Sequence, residues 1–200
     1  MATRQDCVTP HIAAPPACVL VICTANQCRS VMARALLTRR LAAGCHLARV
    51  TSAGTLAGGE PAGQPPRAEV TAALTAYGLD VTAYRSRELA AADLAAADLV
   101  LTMTREHLRH AVVTVPGAWP RAFTLKELIR RGEAAGRRGG GEPLAAWLSR
   151  VHAGRERSAL LGRSPDDDIA DPAGGPPDGY RATAARLDHL LAQLAVLAWG

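Results

Sequence analysis

Residues 19–37 leave this chain few ways to fold. Val19, Leu20, Val21 and Ile22 are four apolar residues in a row, the pattern of a strand buried on both faces. Cys23 closes the run, and Thr24-Ala25-Asn26-Gln27-Cys28-Arg29-Ser30 turns the chain. A helix leaves the turn with apolar residues at Met32, Ala35, Leu36 and Leu37. In such a strand–turn–helix, backbone N–H groups of the turn and of the helix start converge on one concavity, which seats an oxyanion. Arg29 adds a planar fork that can grip two oxygens of that anion. The same positive field favours Cys23 as a thiolate. Ser30, at the helix start, can cap the helix and donate to the sulfur. A lone cysteine at a strand end is more often core; here the buried strand, the Arg-Ser pair and the helix that follows single it out. A thiolate facing a bound phosphoryl group points to phosphoryl transfer through a phosphocysteine.

Two hundred residues, 48% of them apolar, suffice for one domain with a proper core. We expect a flexible leader at 1–16 and a single domain at 17–200. The leader holds Asp6, Pro10, Pro15 and Pro16 and no apolar core segment, so it reads as neither signal nor anchor. No apolar run approaches the roughly 20 residues of a spanning helix. Five cysteines without zinc spacing point to reduced thiols, a cytoplasmic location, no metal and no cofactor. The net charge of +5 comes from 23 basic residues, all arginine except Lys126. It permits an anionic ligand. No stripe of basic and aromatic residues alternates along the chain, so nucleic acid is not expected as a partner.

Further along, Gly44 marks a helix stop. Residues 47–52 form a second strand running into Ser52-Ala53-Gly54-Thr55, and 56–66 form a Gly/Pro-rich loop. Val70, Leu74 and Tyr77 have helical spacing over 67–77, with Gly78 as the stop. A short connection over 79–89 enters a helix at about 88–96. Residues 98–103 are another buried strand, and 104–110 a helix. A turn falls at Pro116-Gly117, and 121–131 start extended and become helical. Strands alternating with helices predict an α/β fold with parallel strands. Residues 132–165 read as an insertion. Its Gly/Arg-rich start, 132–141, is either an anion-attracting loop over the site or a solvated loop, and the solvated reading is preferred. A helix at 143–153 follows. The closing helix, 178–198, carries an apolar stripe of Tyr180, Leu187, Leu190, Leu191, Leu194 and Leu197 that faces the core.

A thiolate attacking phosphorus needs the leaving oxygen protonated, and a carboxylic acid near the cradle is the usual device. The loop before the last helix offers Asp166, Asp167, Asp168 and Asp171. Asp171-Pro172, in a rigid turn just ahead of the helix, is the best placed. The competing reading is a set of caps and solvated turn residues.

These residues together resemble the low-molecular-weight protein tyrosine phosphatases, whose fold is shared with arsenate reductases and protein-arginine phosphatases. Cys23 to Ser30 with Met32-Ala33 carries the resemblance, supported by 52–55, Arg85-Ser86-Arg87, 97–101, Phe123-Thr124-Leu125 and Asp171-Pro172. It implies a three-layer αβα fold around a central four-stranded parallel sheet. It implies Cys23 as nucleophile, Arg29 as phosphate clamp and Asp171 as general acid and base. Thr24, Ala25, Asn26, Gln27, Cys28, Arg29 and Ser30 would bind the phosphate. Asn26 and Ser30 would shape the loop, with Ser52 supporting them from below. Cys28 would be a redox partner for Cys23. The substrate implied is a phosphorylated protein, phosphotyrosine first, or a small anionic phosphoester, handled by a monomer or weak dimer.

Five positions depart from the family pattern. Ala25 stands where glycine is frequent, Val31 where proline is usual, Tyr84 where a histidine commonly backs the loop, and Ala173 where Tyr or Phe lines an aryl pocket. Gln27 is also unlike the common choices at a position tied to substrate discrimination. Two other functions fit the same cradle. One is an arsenate reductase using a small external thiol; the last cysteine is Cys45, which disfavours the thioredoxin-coupled kind. The other is a non-catalytic phosphate-binding module.

Overall fold

Four strands build the sheet: β1 (Ala17–Cys23), β2 (Ala48–Gly54), β3 (Leu99–Thr102) and β4 (Ala122–Thr124). The computed structural model describes residues 16–56 and 58–200, so the leader expected at 1–16 lies, except for Pro16, outside the described residues. Every pairing is parallel, and the strand order is β2-β1-β3-β4. The registers bring Cys23 opposite Gly54 and Ile22 opposite Thr102, so the strands end together.

Among the described residues seven α-helices cover the two faces: α1 (Arg29–Ala43), α2 (Ala68–Thr75), α3 (Ala91–Ala96), α4 (Arg105–Thr114), α5 (Leu125–Ala135), α6 (Leu144–His152) and α7 (Pro177–Trp199). Alternation along β1 splits the core, as a period of two requires. Val19, Val21 and Cys23 pack with α1, α2, α5, α6 and α7, including the expected stripe on α7. Leu20 and Ile22 pack with Leu94 of α3 and Leu108, Ala111 and Val112 of α4. The result is the αβα sandwich with a four-stranded parallel sheet. Each buried Leu, Ile or Val contributes about 1.5–3 kcal/mol by leaving water, so sheet and helices specify each other.

Two details differ from the sequence expectation. Gly44 does end α1, as expected, but at φ −86°, and the left-handed residue is Cys45, at φ 54°. Cys18, Cys23 and Cys28 are free thiols, but Cys45 is disulfide-bonded, against the expectation of reduced thiols throughout.

The Gly/Arg-rich segment 132–141 does not overhang the site. It folds back on α6 and α7, with Arg138 N–H donating to Leu197 O and Arg150 donating to Ala135 O, Arg137 O and Glu142. Gly141 and Glu142 line a cleft with Ala17 and Asp98, at the starts of β1 and β3. That is the opposite end of the sheet from Cys23, so the reading as a loop over the anion seat is overturned.

Candidate active site

The C-terminal ends of parallel strands are where an α/β sheet leaves a crevice, and all four strands contribute here. Cys23 ends β1, and its thiol is 3% exposed. The chain then runs through residues 24–28 and enters α1 at Arg29, with Met32 N–H making the first helical bond to Cys28 O. The cap position is Cys28, without a side-chain cap bond, so Ser30 does not cap the helix. Its hydroxyl instead lies 2.9 Å from Cys23 Sγ. Among the described residues the backbone N–H groups of Ala25, Asn26, Gln27 and Cys28 donate to nothing within the protein. They are the concavity that the strand–turn–helix pattern predicts.

Asn26 holds the loop's shape. It is fully buried and has φ 54°, a left-handed conformation that Asn tolerates better than most residues. Its Nδ2 donates to Ser30 Oγ at 2.9 Å, and its Oδ1 accepts from Tyr84 O–H at 2.5 Å and from Arg87 N–H at 3.1 Å. Ala25 carries no positive φ, so alanine brings no strain there. The loop lies so close to the end of β2 that a Cβ on Gly54 would stand 2.4 Å from Thr24 O. Ser52 supports the loop, but through an intermediary: its hydroxyl is 2.9 Å from Tyr84 O–H, which in turn reaches Asn26. Tyr84 thus takes over the backing of the loop, a role the sequence pattern left as altered.

Arg29 is 5% exposed. One terminal nitrogen donates to Ile169 O at 3.0 Å and the other to Asp171 Oδ2 at 2.5 Å, while its Nε has no partner. A buried charged donor left open carries a desolvation cost, and a phosphoryl oxygen in the cradle would relieve it. Asp171 reaches the site at the end of a tethered loop. Ile169 N–H donates to Met103 O, just beyond β3. Asp168 accepts from the N–H groups of Arg105 and Ser164, and Asp167 is bridged by Arg105 and Arg130 at 2.6 and 2.8 Å. Lys126, at the start of α5, donates to Pro165 O. Of the four candidate carboxylates, Asp171 meets the cradle, while Asp167 and Asp168 hold the loop.

Cys28 sits in the same buried region. Burial, together with the charges of Asp171 and Cys23, pushes its thiol up to about 12 against the opposing pull of Arg29 and Arg67. A residue the sequence reading passed over is His107 on α4, whose Nε2 is 2.9 Å from Thr24 Oγ1. The Thr-x-x-His spacing at the start of α4 is its only sequence trace. Among the described residues no group of His, Cys, Asp and Glu could hold a metal ion, and no helix is long and apolar enough to cross a membrane.

An anion seat of this make, under a buried cysteine at the end of a central parallel strand, defines the phosphatases that work through a cysteine. The comparisons narrow the class. Residues 18–135 match the model of the low molecular weight phosphotyrosine protein phosphatase family, and the chain belongs to that family. A protein-arginine-phosphatase of Geobacillus stearothermophilus is 31% identical over 177 residues, 88% of this chain and 93% of that one. A probable low molecular weight protein-tyrosine-phosphatase, EpsP, of Ralstonia solanacearum is 31% identical over 110 residues, 55% of this chain and 71% of its own. Among solved structures, a low molecular weight protein tyrosine phosphatase from T. tengcongensis superposes with a TM-score of 0.67 at 30% identity, covering 89% of this chain and 97% of that one.

Proposed function

We propose that this phosphatase hydrolyses phosphorylated protein through a phosphocysteine on Cys23, with Arg29 as clamp and Asp171 as acid and base. The observation that carries this assignment is the Arg29 guanidinium, buried with its Nε open beneath free loop N–H groups and shared with Asp171. The phosphoryl oxygens bind the N–H groups of residues 24–30 and displace Asp171 from Arg29. The Cys23 thiolate attacks phosphorus, the S–P bond forms as the P–O bond breaks, and Asp171 gives its proton to the leaving oxygen. Water then attacks the phosphocysteine, Asp171 takes the water's proton, and the S–P bond breaks to return the thiolate. Asn26 and Ser30 keep the loop in shape, and Ser52 acts on it by way of Tyr84.

Phosphotyrosine is the first substrate in this reading. The arginine phosphatase relative, aligned over nearly its whole length, supports phosphoarginine as a second, and Ala173 removes the aromatic that would favour an aryl group. Oxidation of Cys23 to the sulfenic acid by a peroxide would let the Cys28 thiol condense with it, releasing water and forming a disulfide. The high pKa of Cys28 makes that step slow. We place the enzyme in the cytoplasm as a monomer or weak dimer, without nucleic-acid partners.

Hydrolysis of p-nitrophenyl phosphate tests the roles. Cys23→Ser abolishes turnover. Asp171→Asn slows it by about 10²–10⁴ while leaving the thiol open to alkylation by iodoacetate. Equal rates for wild type and Cys23→Ser would sink the assignment. Parallel assays on phosphotyrosyl and phosphoarginyl peptides rank the two substrates.

A further inference from the structure

The cradle has a second attachment, at the residue next to Cys23. Thr24 Oγ1 lies 2.9 Å from His107 Nε2, and His107 Nδ1 lies 2.9 Å from Thr104 Oγ1. His107 is buried, and Thr104 is the cap of α4. The three side chains form a bridge from the end of β3 to the first residue of the anion seat.

Two directions satisfy the bridge, and they differ in which threonine keeps a free proton. Thr104 Oγ1 already accepts the backbone N–H of His107 at 3.3 Å. A hydroxyl has one proton to give and a second lone pair, so the contact fits either tautomer; in the arrangement with Nδ1 bare, the Thr104 hydroxyl donates to it and Nε2 carries the hydrogen. In that arrangement Nε2–H donates to Thr24 Oγ1. The Thr24 hydroxyl makes no other hydrogen bond among the described residues, so its own proton is left unclaimed.

We propose that His107 is a positioning residue: as its Nε2–H tautomer it fixes the Thr24 hydroxyl as an acceptor on one side, so that its proton is given to a phosphoryl oxygen in the cradle. This rests on the phosphatase assignment of the same site. Burial, with the charges of Arg29 and His110, pushes the imidazole down to about 3, so it stays uncharged at neutral pH. An imidazolium would lose the acceptor at Nδ1 and turn the Thr104 hydroxyl away.

Two measurements on the full chain test it. ¹⁵N NMR of the unliganded protein shows His107 bare at Nδ1 and protonated at Nε2 from pH 5 to 8. Inhibition of p-nitrophenyl phosphate hydrolysis by inorganic phosphate reads the donor. Thr24→Val and His107→Phe each weaken phosphate by about tenfold, the scale of one hydrogen bond to a charged group, and lower kcat/KM at least as far. Thr24→Ser restores both, and His107→Gln, whose amide N–H can replace Nε2–H, keeps most of the affinity. The double variant Thr24→Val/His107→Phe loses no more than the worse single, because both act on one proton. An Nδ1–H signal, unchanged phosphate affinity in Thr24→Val, or additive losses overturns the proposal. If His107→Phe does not fold, the NMR signal and Thr24→Val decide. Absence of turnover in the wild type would instead overturn the phosphatase assignment, which is read first and separately.

Discussion

At the scale of single residues, Tyr84 is the one whose loss should be felt most widely. Its O–H ties Ser52 on β2 to Asn26 in the cradle, and Asn26 is buried in a left-handed conformation that only its hydrogen bonds sustain. Tyr84→Phe keeps the ring and its stacking beneath Arg34 but removes the hydroxyl. We expect a stability loss of about 1–2 kcal/mol, read from urea midpoints, together with a lower kcat. An unchanged midpoint would show that Asn26 needs no second partner on Oδ1. The three residues proposed as nucleophile, clamp and acid could be picked out because strand, turn and helix chemistry is local: Cys23 ends β1, Arg29 opens α1, and Asp171 lies in the loop before α7. Tyr84 was marked only by the resemblance, and His107 not at all. Their partners lie 58 and 83 residues away in the chain, and no local period records a bond across such a distance.

At the scale of elements, the acid loop behaves as a tethered segment, and Asp167 is its main tether. Its side chain is 4% exposed and bridges Arg105 on α4 to Arg130 on α5. Burial pushes the carboxyl up, but hydrogen bonds and charge from Arg130 and Arg105 outweigh this and hold it below its ordinary 3.8. The folded chain therefore binds this proton less readily than the unfolded one. The stabilisation is full above about pH 5 and fades as pH falls through 3.8 toward the lower folded value. Asp167→Asn should cost about 1–3 kcal/mol at pH 7, and the gap to wild type should shrink in urea titrations at pH 4 and again at pH 3. A gap that holds constant to pH 3 would mean that shape alone, not charge, is lost. The sequence showed four carboxylates in this loop but could not sort them. Sorting needs Arg105 and Arg130, which come together only when α4 and α5 flank β4. The strands and long helices were legible from apolar runs and spacing, whereas the extra length of β2, through Gly54, depends on pairing with β1.

At the scale of the whole molecule, residues 132–165 are joined to the sheet by Arg155. Its side chain is 1% exposed, doubly bonded to Glu127, and stacked on Trp119 and Phe123 with its carbon 3.7 and 4.0 Å from the ring centres. Arg155→Met would leave the Glu127 carboxylate buried and alone, at a cost of about 3–5 kcal/mol. That corresponds to a melting temperature lower by roughly 10 °C. The double variant Glu127→Gln/Arg155→Met should recover part of the loss, since no charge is then stranded. Calorimetry on the three proteins checks this, and a double variant worse than the single would rule out ion pairing as the reason. Residues 132–165 looked like an appendage because arginines and glycines read as surface. Burial of one of those arginines between two aromatic rings is a property of the assembled chain.

The contact between Arg29 and Asp171 also changes what it means for the pocket to be empty. The protein supplies the arginine with an anion of its own, so the folded chain can wait for substrate without an isolated cation in its interior. Substrate entry is then an exchange of one anion for another. The phosphate that arrives and the phosphate that departs both contend with the same internal competitor. In the proposed mechanism that competitor moves aside on binding and, once displaced, is the group set free to handle the proton. Holding the site at rest and readying it for reaction are two positions of a single carboxylate.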